Sequence, residues 1–479
     1  MSLSQKTRRW ILRVLIFLVI VGGIGVVIAY DKFFRVVEQP PFANEGERFK
    51  YGSLGSEEDR GIPYPIFVVL PRIFPDLLPG PGGYRSLGIP WEEGKPLPVG
   101  FSLKTMGFPR VTQNCAVCHA ATYRTKKDES PTFVTGGPSH TSDVQGFLRF
   151  VAAAANDPRF NPDRILAEIA IDFELSWLDA LIYRFILIPF TQKALLEQEQ
   201  QFDWMNRPGW PDWGPGRDDP MNLTKYFMIE MPVDDSIGSA DFPSIWKLKN
   251  REGHALNWGG ETLTPLAVII DSALGLGAPP GEPFMQRMRE IEAYLKELPA
   301  PKYPFPINQA LAERGASIYA QYCAACHADD GARTGTVIDV AEVGTSAERI
   351  DTWTQEAADK TNAVAADMGV ERKDMVKTNG YVTGPLDGLW LRAPYLHNGS
   401  IPSLVDLLEP PDRRTSAFYR GYDLYDPDRV GFVSSGPDAE RSGYYFDTSV
   451  RGNGNQGHVY GTDLDPAAKR ALIEYLKTL

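Results

Sequence analysis

All four cysteines of this chain are spent on two copies of one five-residue pattern, Cys115-Ala-Val-Cys118-His119 and Cys323-Ala-Ala-Cys326-His327. Cys-x-x-Cys-His is the attachment signature of c-type haem. Each sulfur adds to one vinyl group of the porphyrin, and the adjoining histidine swings its imidazole onto the iron. No cysteine remains for a zinc tetrad or a disulfide. Two covalently bound haem c groups are therefore expected on Cys115, Cys118, Cys323 and Cys326, with His119 and His327 as proximal iron ligands.

At 479 residues, 43% of them hydrophobic, the chain exceeds one minimal haem domain and supports two or three domains with real cores. Lys and Arg total 49 against 61 Asp and Glu, a net charge of -12, which speaks against a nucleic-acid partner. The 39 prolines and 44 glycines point to long ordered loops wrapped around cofactors. Nothing resembles a nucleophile with its base, which excludes metal-independent hydrolysis. The expected fold class is mainly α: two cytochrome c-like haem domains with long loops and insertions, plus an N-terminal transmembrane helix.

From Val14 to Tyr30 the chain is uncharged and almost wholly apolar, and Lys6, Arg8, Arg9 and Arg13 precede that run. The positive-inside rule keeps such a tail in the cytoplasm and exports the remainder of the chain. The preferred reading is an uncleaved single-pass anchor in the inner membrane, with the haem domains in the periplasm. A cleaved signal peptide ending near Val27-Ile28-Ala29 is the alternative. The expected partition is 1–32 as anchor or signal peptide, 33–100 as a Pro/Gly-rich arm laid over the body, 101–301 as a first haem domain with an insertion, and 302–479 as a second haem domain.

Amphipathic helices are expected to close both halves, over Ile291–Leu298 and from Pro466 to Leu479, and a helix from Ala310 to Tyr322 runs into Cys323. Gly315 would permit a close helix crossing there. A proline-rich connector, Leu298 to Pro306, separates the halves. In the first half, Arg164 to Gln201 has helical texture; it is expected in the core, with Leu181 to Phe190 against a membrane as the alternative. Trp204 to Trp213 reads as an aromatic wall near a cofactor, and Ile66 to Leu70 as a short strand or a docked segment.

Six histidines, two of them proximal, leave His140, His254, His397 and His458. Whether each iron has a sixth protein ligand separates electron transfer from catalysis, because an open iron can bind dioxygen or peroxide. For the second haem the residues leave His397, His458 and the methionines Met368 and Met375 open, with Met375 the better placed of the two methionines. His458 lies in a glycine-rich loop, Gly452-Asn-Gly-Asn-Gln-Gly457-His458, that can approach a haem edge. His397 lies in Trp390-Leu-Arg392-Ala-Pro-Tyr395-Leu-His397-Asn398-Gly399-Ser400, where Arg392, Trp390 and Tyr395 would position the haem and its propionates. His140 is expected as a loop or helix-capping residue, with a distal ligand of the first haem as the alternative. Trp213 and Trp246 are candidates for the first-haem pocket or an electron path.

The stretch Gly380-Tyr-Val-Thr-Gly-Pro385-Leu-Asp-Gly-Leu-Trp390-Leu-Arg-Ala-Pro-Tyr395-Leu-His397-Asn-Gly-Ser400-Ile-Pro402 resembles the signature loop of the di-haem rubber oxygenase group. More distantly it is similar to the bacterial di-haem cytochrome c peroxidases and the methylamine-utilisation di-haem enzyme. Arg110-Val-Thr-Gln-Asn114-Cys115, Gly214-Pro-Gly-Arg217, Asp241-Phe-Pro-Ser-Ile-Trp246 and Gly457-His458-Val-Tyr-Gly-Thr462 extend the resemblance. It implies an open first haem that binds dioxygen or another small oxidant, and a bis-histidine second haem whose distal ligand maps to His458, with His397 supporting it. The chain departs from the pattern at Asn257-Trp258-Gly259-Gly260, where rubber oxygenases show His-Trp-Asp-Gly.

Three functions fit these residues. The first is a di-haem oxidoreductase, oxygenase-like or peroxidase-like, with the second haem as relay. The second is an electron carrier without catalysis, and the third a haem subunit of a membrane redox complex. The expected partners are a redox protein or quinol-linked donor, a small oxidant, and the membrane through the N-terminal helix.

Overall fold

The computed structural model describes residues 4–370 and 374–479. Helix makes up about 47% of the chain, in keeping with the mainly α expectation. The first helix, Gln5–Ala29, buries none of its residues, and the helical run Gln5–Phe34 contains an 18-residue window with a mean hydropathy of 2.9. The 25 residues of the first helix span about 37 Å at 1.5 Å per residue, more than the roughly 30 Å of bilayer hydrocarbon. It is long and apolar enough to cross a membrane.

A single turn, Tyr30–Phe34, joins this helix to strand β1, Val36–Val37. With β2 (Ile62–Pro63), β3 (Phe101–Met106) and β4 (Phe108–Gln113) it forms an antiparallel sheet of order β1-β3-β4-β2. Val36 stands opposite Met106, and Ile62 opposite Val111.

Segment 33–100, expected as an arm, is a folded part of the body. It contributes β1, β2 and the helices Glu45–Tyr51 and Tyr64–Ile73. Ile66, Phe67, Val69, Leu70, Ile73 and Phe74 form the centre of the largest apolar cluster. The prolines that suggested an arm are accommodated in a helix: Pro65 lies in the first turn, where its missing N–H costs nothing, and Pro71, inside the helix, has no N–H for Phe67 O, which accepts from the Tyr84 hydroxyl. Ile66 to Leu70 is thus helix, neither strand nor docked coil. Tyr84 stacks on Phe67 at 4.4 Å between centroids and donates its hydroxyl to Phe67 O.

The insertion Arg164 to Gln201 is helical, as its texture implied, over Pro162–Asp172, Trp177–Ile182 and Ile188–Gln201, with Tyr183–Leu187 as a wider turn between the last two. Its expected place in the core is only half observed. Tyr183, Leu187, Ile188 and Leu195 are buried in the main cluster, while Trp177, Leu181, Phe185, Ile186 and Phe190 face outward.

In the second half, Gln309–Tyr322 crosses the closing helix Pro466–Leu476. Asn308 caps the first by accepting from Leu311 N, and Asp465 caps the second by accepting from Ala467 N and Ala468 N. The crossing needs Gly315, because a Cβ there would lie 2.0 Å from the carbonyl oxygen of Ala471. Gly315→Val should therefore push the helices apart at a cost of about 1–3 kcal/mol or more; a denaturant midpoint unchanged from the parent would refute this.

The two halves are not copies. Helix Glu282–Glu297 closes the first and packs in a cluster with Ala116 and Ala120 around the first motif. Yet Cys115 is reached from the β3–β4 hairpin, whereas Cys323 is reached from a helix. The connector between the halves is docked, with Pro301 O accepting from Trp390 Nε1 at 3.0 Å.

Candidate functional site

Both Cys-x-x-Cys-His motifs fold into the same turn. His119 N donates to Cys115 O at 3.1 Å and His327 N to Cys323 O at 3.0 Å. Asn114 fixes the first: its Oδ1 accepts from Ala116 N while Nδ2 donates to Lys50 O and Gly52 O. Each imidazole is then aimed by one backbone carbonyl. His119 Nδ1 lies 3.0 Å from Pro243 O, and His327 Nδ1 lies 2.8 Å from Gly384 O. A carbonyl cannot donate, so each Nδ1 carries the proton and each Nε2 keeps its lone pair for a metal. Burial pushes His119 down to about 4 and lowers His327 as well, so both rings are neutral at neutral pH.

Opposite His327 stands His458, with ring centroids 6.3 Å apart and planes at 48°. An imidazole nitrogen sits about 2.0 Å from a metal it ligates and the ring centre about 1.1 Å behind it, so an ion between two such rings separates their centres by about 6.2 Å. The pair fits an iron held from both sides. Burial, with His327 facing it, pushes His458 down to about 4.

His458 is held by its backbone. It adopts φ +44°, a left-handed conformation costly for a non-glycine residue. A buried arginine maintains it: Arg414 donates from Nη1 to Asn455 O (2.6 Å) and Gly457 O (2.7 Å), and from Nη2 to His458 O (3.1 Å). Asn398 clamps the start of the same loop, donating to Gly452 O and Gly454 O at 3.0 and 2.9 Å. Gly457 passes so close to Gly344 and Thr345 that no Cβ fits.

The other candidates for that position lie elsewhere. Met375 is buried in an apolar cluster with Trp353, Ala357 and Ala358. His397 stacks on Tyr381 at 4.1 Å. The Tyr381 hydroxyl, 2.6 Å from Ser346 O, spends its one proton there, so His397 Nε2 donates to it across 3.0 Å and is not free to ligate. Trp390 and Tyr395 are core residues whose polar ends go to backbone carbonyls, Pro301 O for one and Leu389 O and Val430 O for the other. His254 packs over Gly335. Trp213 joins Trp204, Phe202 and Met205 in a separate aromatic cluster.

Arg392 does suit an anionic group. Its Nη1 donates to Pro385 O and its Nη2 to Asp387 O, while Nε is buried and, among the described residues, without a partner. Burial, with Arg251 nearby, pushes it down to about 9. Arg217 makes the same case more strongly. Fully buried, it donates from Nη1 to Asn453 Oδ1 at 2.9 Å and leaves Nε and Nη2 unpartnered among the described residues. Burial, with Arg420 nearby, lowers it to about 9. Buried guanidinium groups left this way call for an anion, and haem propionates supply one. Arg217 pairs through its strand with Asp241, two residues before Pro243, and through Asn453 with the His458 loop. It thereby ties the two motifs together.

His140 stands closer to the chemistry than a capping residue would. Its turn caps no helix, since Asp143 does that. Ser139 N donates to Cys118 O, which brings His140 beside the first motif, where its ring stacks on Phe432 at 3.7 Å. Both ring nitrogens are buried without partners among the described residues, and burial pushes the group down to about 3. Trp246, fully buried, lies between the motifs. Ile245 N donates to Gly136 O and Gly136 N to His119 O, while Trp246 Nε1 donates to Asp387 O at 2.9 Å and the Arg392 guanidinium sits 5.8 Å from its ring. Among the described residues no group of three or more His, Cys, Asp and Glu side chains could hold a metal ion.

Comparisons with known proteins agree with this picture at a coarser level. Residues 380–419 match the family described as RoxA-like, cytochrome c-like, and residues 310–375 match that described as Cytochrome C oxidase, cbb3-type, subunit III. The second match contains Cys323 to His327. Two proteins of Sinorhizobium fredii (strain NBRC 101917 / NGR234) are similar: Uncharacterized protein y4iJ, 30% identical over 36% of this chain and 39% of its own length, and Uncharacterized protein y4iM, 28% identical over 50% and 64%. The chain thus spans less than two thirds of either relative. These matches support a c-type cytochrome with covalently bound haem c and a haem-based redox function.

Proposed function

We propose that the chain is a di-haem c-type oxidoreductase, held in the inner membrane by Gln5–Ala29 with its haem domains in the periplasm. The observation that carries this reading is the inequality of the two motifs. His327 faces His458 at the spacing of a six-coordinate iron, whereas among the described residues no imidazole faces His119 in this way. A six-coordinate iron relays electrons; one with an open position binds dioxygen or peroxide.

His119 holds the first group, and His140, beside Cys118 with two free ring nitrogens, is placed to hydrogen-bond a small oxidant or a propionate. Arg217 and Arg392 neutralise propionates. Trp246 links the His119 turn to the Asp387–Arg392 segment, and serves as electron path. A redox protein or a quinol-linked donor in the same membrane supplies the electrons.

The purified holoprotein should contain two haems per chain by pyridine haemochrome assay, falling to one when Cys115 and Cys118 are both replaced by alanine. Electron paramagnetic resonance of the ferric protein should show one low-spin and one high-spin signal, and the reduced protein should bind carbon monoxide at one haem. Two low-spin signals with no carbon monoxide binding would remove the enzyme reading and leave an electron carrier.

A further inference from the structure

The outward face of the insertion carries a contiguous apolar stripe. Trp177, Leu181 and Phe185 recur every fourth residue along one side of a helical run, joined by Ile186, Phe190 and, from the preceding helix, Ile171. Trp177 is 76% exposed, Phe185 69% and Phe190 68%. The opposite side of the same run is already spent on the core through Tyr183, Leu187 and Ile188. Packing therefore accounts for one face and leaves a row of large aromatic and aliphatic groups turned outward. A patch of this kind marks an interaction surface.

Its place in the fold identifies the occupant. Lys32, just past the end of the anchor helix, forms an ion pair with Asp179 at 2.8 Å, and Asp179 sits between Trp177 and Leu181 on the stripe-bearing helix. Phe33 packs against the main apolar cluster, and Gly107 N donates to Arg35 O. The point where the chain leaves the N-terminal helix is thus fixed to the very helix that bears the stripe. Arg184, paired with Asp163, and the exposed Lys193, paired with Glu197, flank it. Aromatic and aliphatic residues on one face with basic neighbours are the composition of a helix lying in a bilayer interface.

The geometry points to a second membrane contact: the Trp177–Phe190 face lies in the interfacial layer of the same bilayer that the N-terminal helix spans. This rests on that helix being retained as an anchor. The haem domains would then be seated on the lipid surface at two places.

The test uses full-length holoprotein in vesicles of phosphatidylcholine and phosphatidylglycerol, labelled with an environment-sensitive thiol fluorophore at Phe185→Cys, at Val19→Cys in the anchor, or at Tyr445→Cys on an exposed strand. The parent protein controls for labelling of native cysteines. Brominated lipid should quench position 185 several-fold more than position 445, and aqueous iodide should quench it several-fold less. Position 19 quenched by lipid while 185 behaves like 445 would overturn this proposal and leave the anchor intact. Iodide quenching at both 19 and 185 would overturn both. A label at 185 shielded from both quenchers would show protein on the face, such as a second copy, and overturn the lipid assignment.

Discussion

His458→Ala should convert the second haem from low-spin to high-spin without loss of the haem itself. Covalent attachment through Cys323 and Cys326 and the proximal bond from His327 do not depend on the distal side. The substitution removes the imidazole that faces His327, and the side chains able in principle to replace it are committed elsewhere: Met375 to an apolar cluster, His397 to Tyr381. Electron paramagnetic resonance and the visible spectrum read the change directly. A low-spin spectrum that survives the substitution would refute the pairing. Arg414→Ala is the companion variant. It leaves the imidazole in place but removes the charge-assisted bonds that hold residues 455–458, each worth about 1.5–3 kcal/mol. A mixture of spin states is expected, with Arg414→Lys restoring part of the low-spin form.

The second large effect concerns Glu261 and Arg349. Their side chains are each 2% exposed and meet at 2.8 Å. Glu261 adjoins the Asn257–Gly260 departure from the rubber oxygenase pattern, and Arg349 lies in the helix Glu348–Thr352, just after the Gly344–Thr345 backbone on which Gly457 rests. The pair joins the first half of the chain to the support of the His458 loop. Glu261→Leu strands a buried guanidinium and should cost about 3–5 kcal/mol, measured as a fall in the denaturant midpoint. Adding Arg349→Leu should return most of that loss, because two apolar side chains need no counter-charge. A single variant as stable as the parent would show that solvent or another group already shares the charge.

The features legible in the sequence were local and covalent. Cys115 to His119 and Cys323 to His327 declare their turn because the chemistry of attachment dictates the spacing. The closing helix is equally legible, with Pro466 in its first turn and Leu472 and Leu476 on one buried face. His458 stands out through the glycines around it. The features hidden from the sequence depend on contacts between distant residues. Arg414 carries no local signal of this role, since the carbonyls of the His458 loop that it holds lie 41 to 44 positions later. Arg217 declares nothing until its burial beside Asp241 and Asn453 is known. Segment 33–100 reads as an arm because prolines and glycines mark bends equally well in an arm and in a folded subdomain. The stripe at Trp177 and Phe185 shares its periodicity with a core helix; only the rest of the fold decides which side turns outward.

A single residue, Arg35, separates the turn that ends the N-terminal helix from strand β1, and β1 is already hydrogen-bonded into the sheet. A tethered electron carrier on a slack leash gains reach, sweeping a hemisphere and meeting donors and acceptors in turn. Here there is no leash to sweep with. With Gln5–Ala29 spanning a bilayer as proposed, the two proposed haem sites would stand at fixed height and fixed azimuth over the lipid, so a membrane donor would approach by lateral diffusion and a soluble partner from above. Exchange is then governed by how often a partner arrives correctly turned, and lengthening the chain at Arg35 with a flexible insert would trade that orientational selectivity for range.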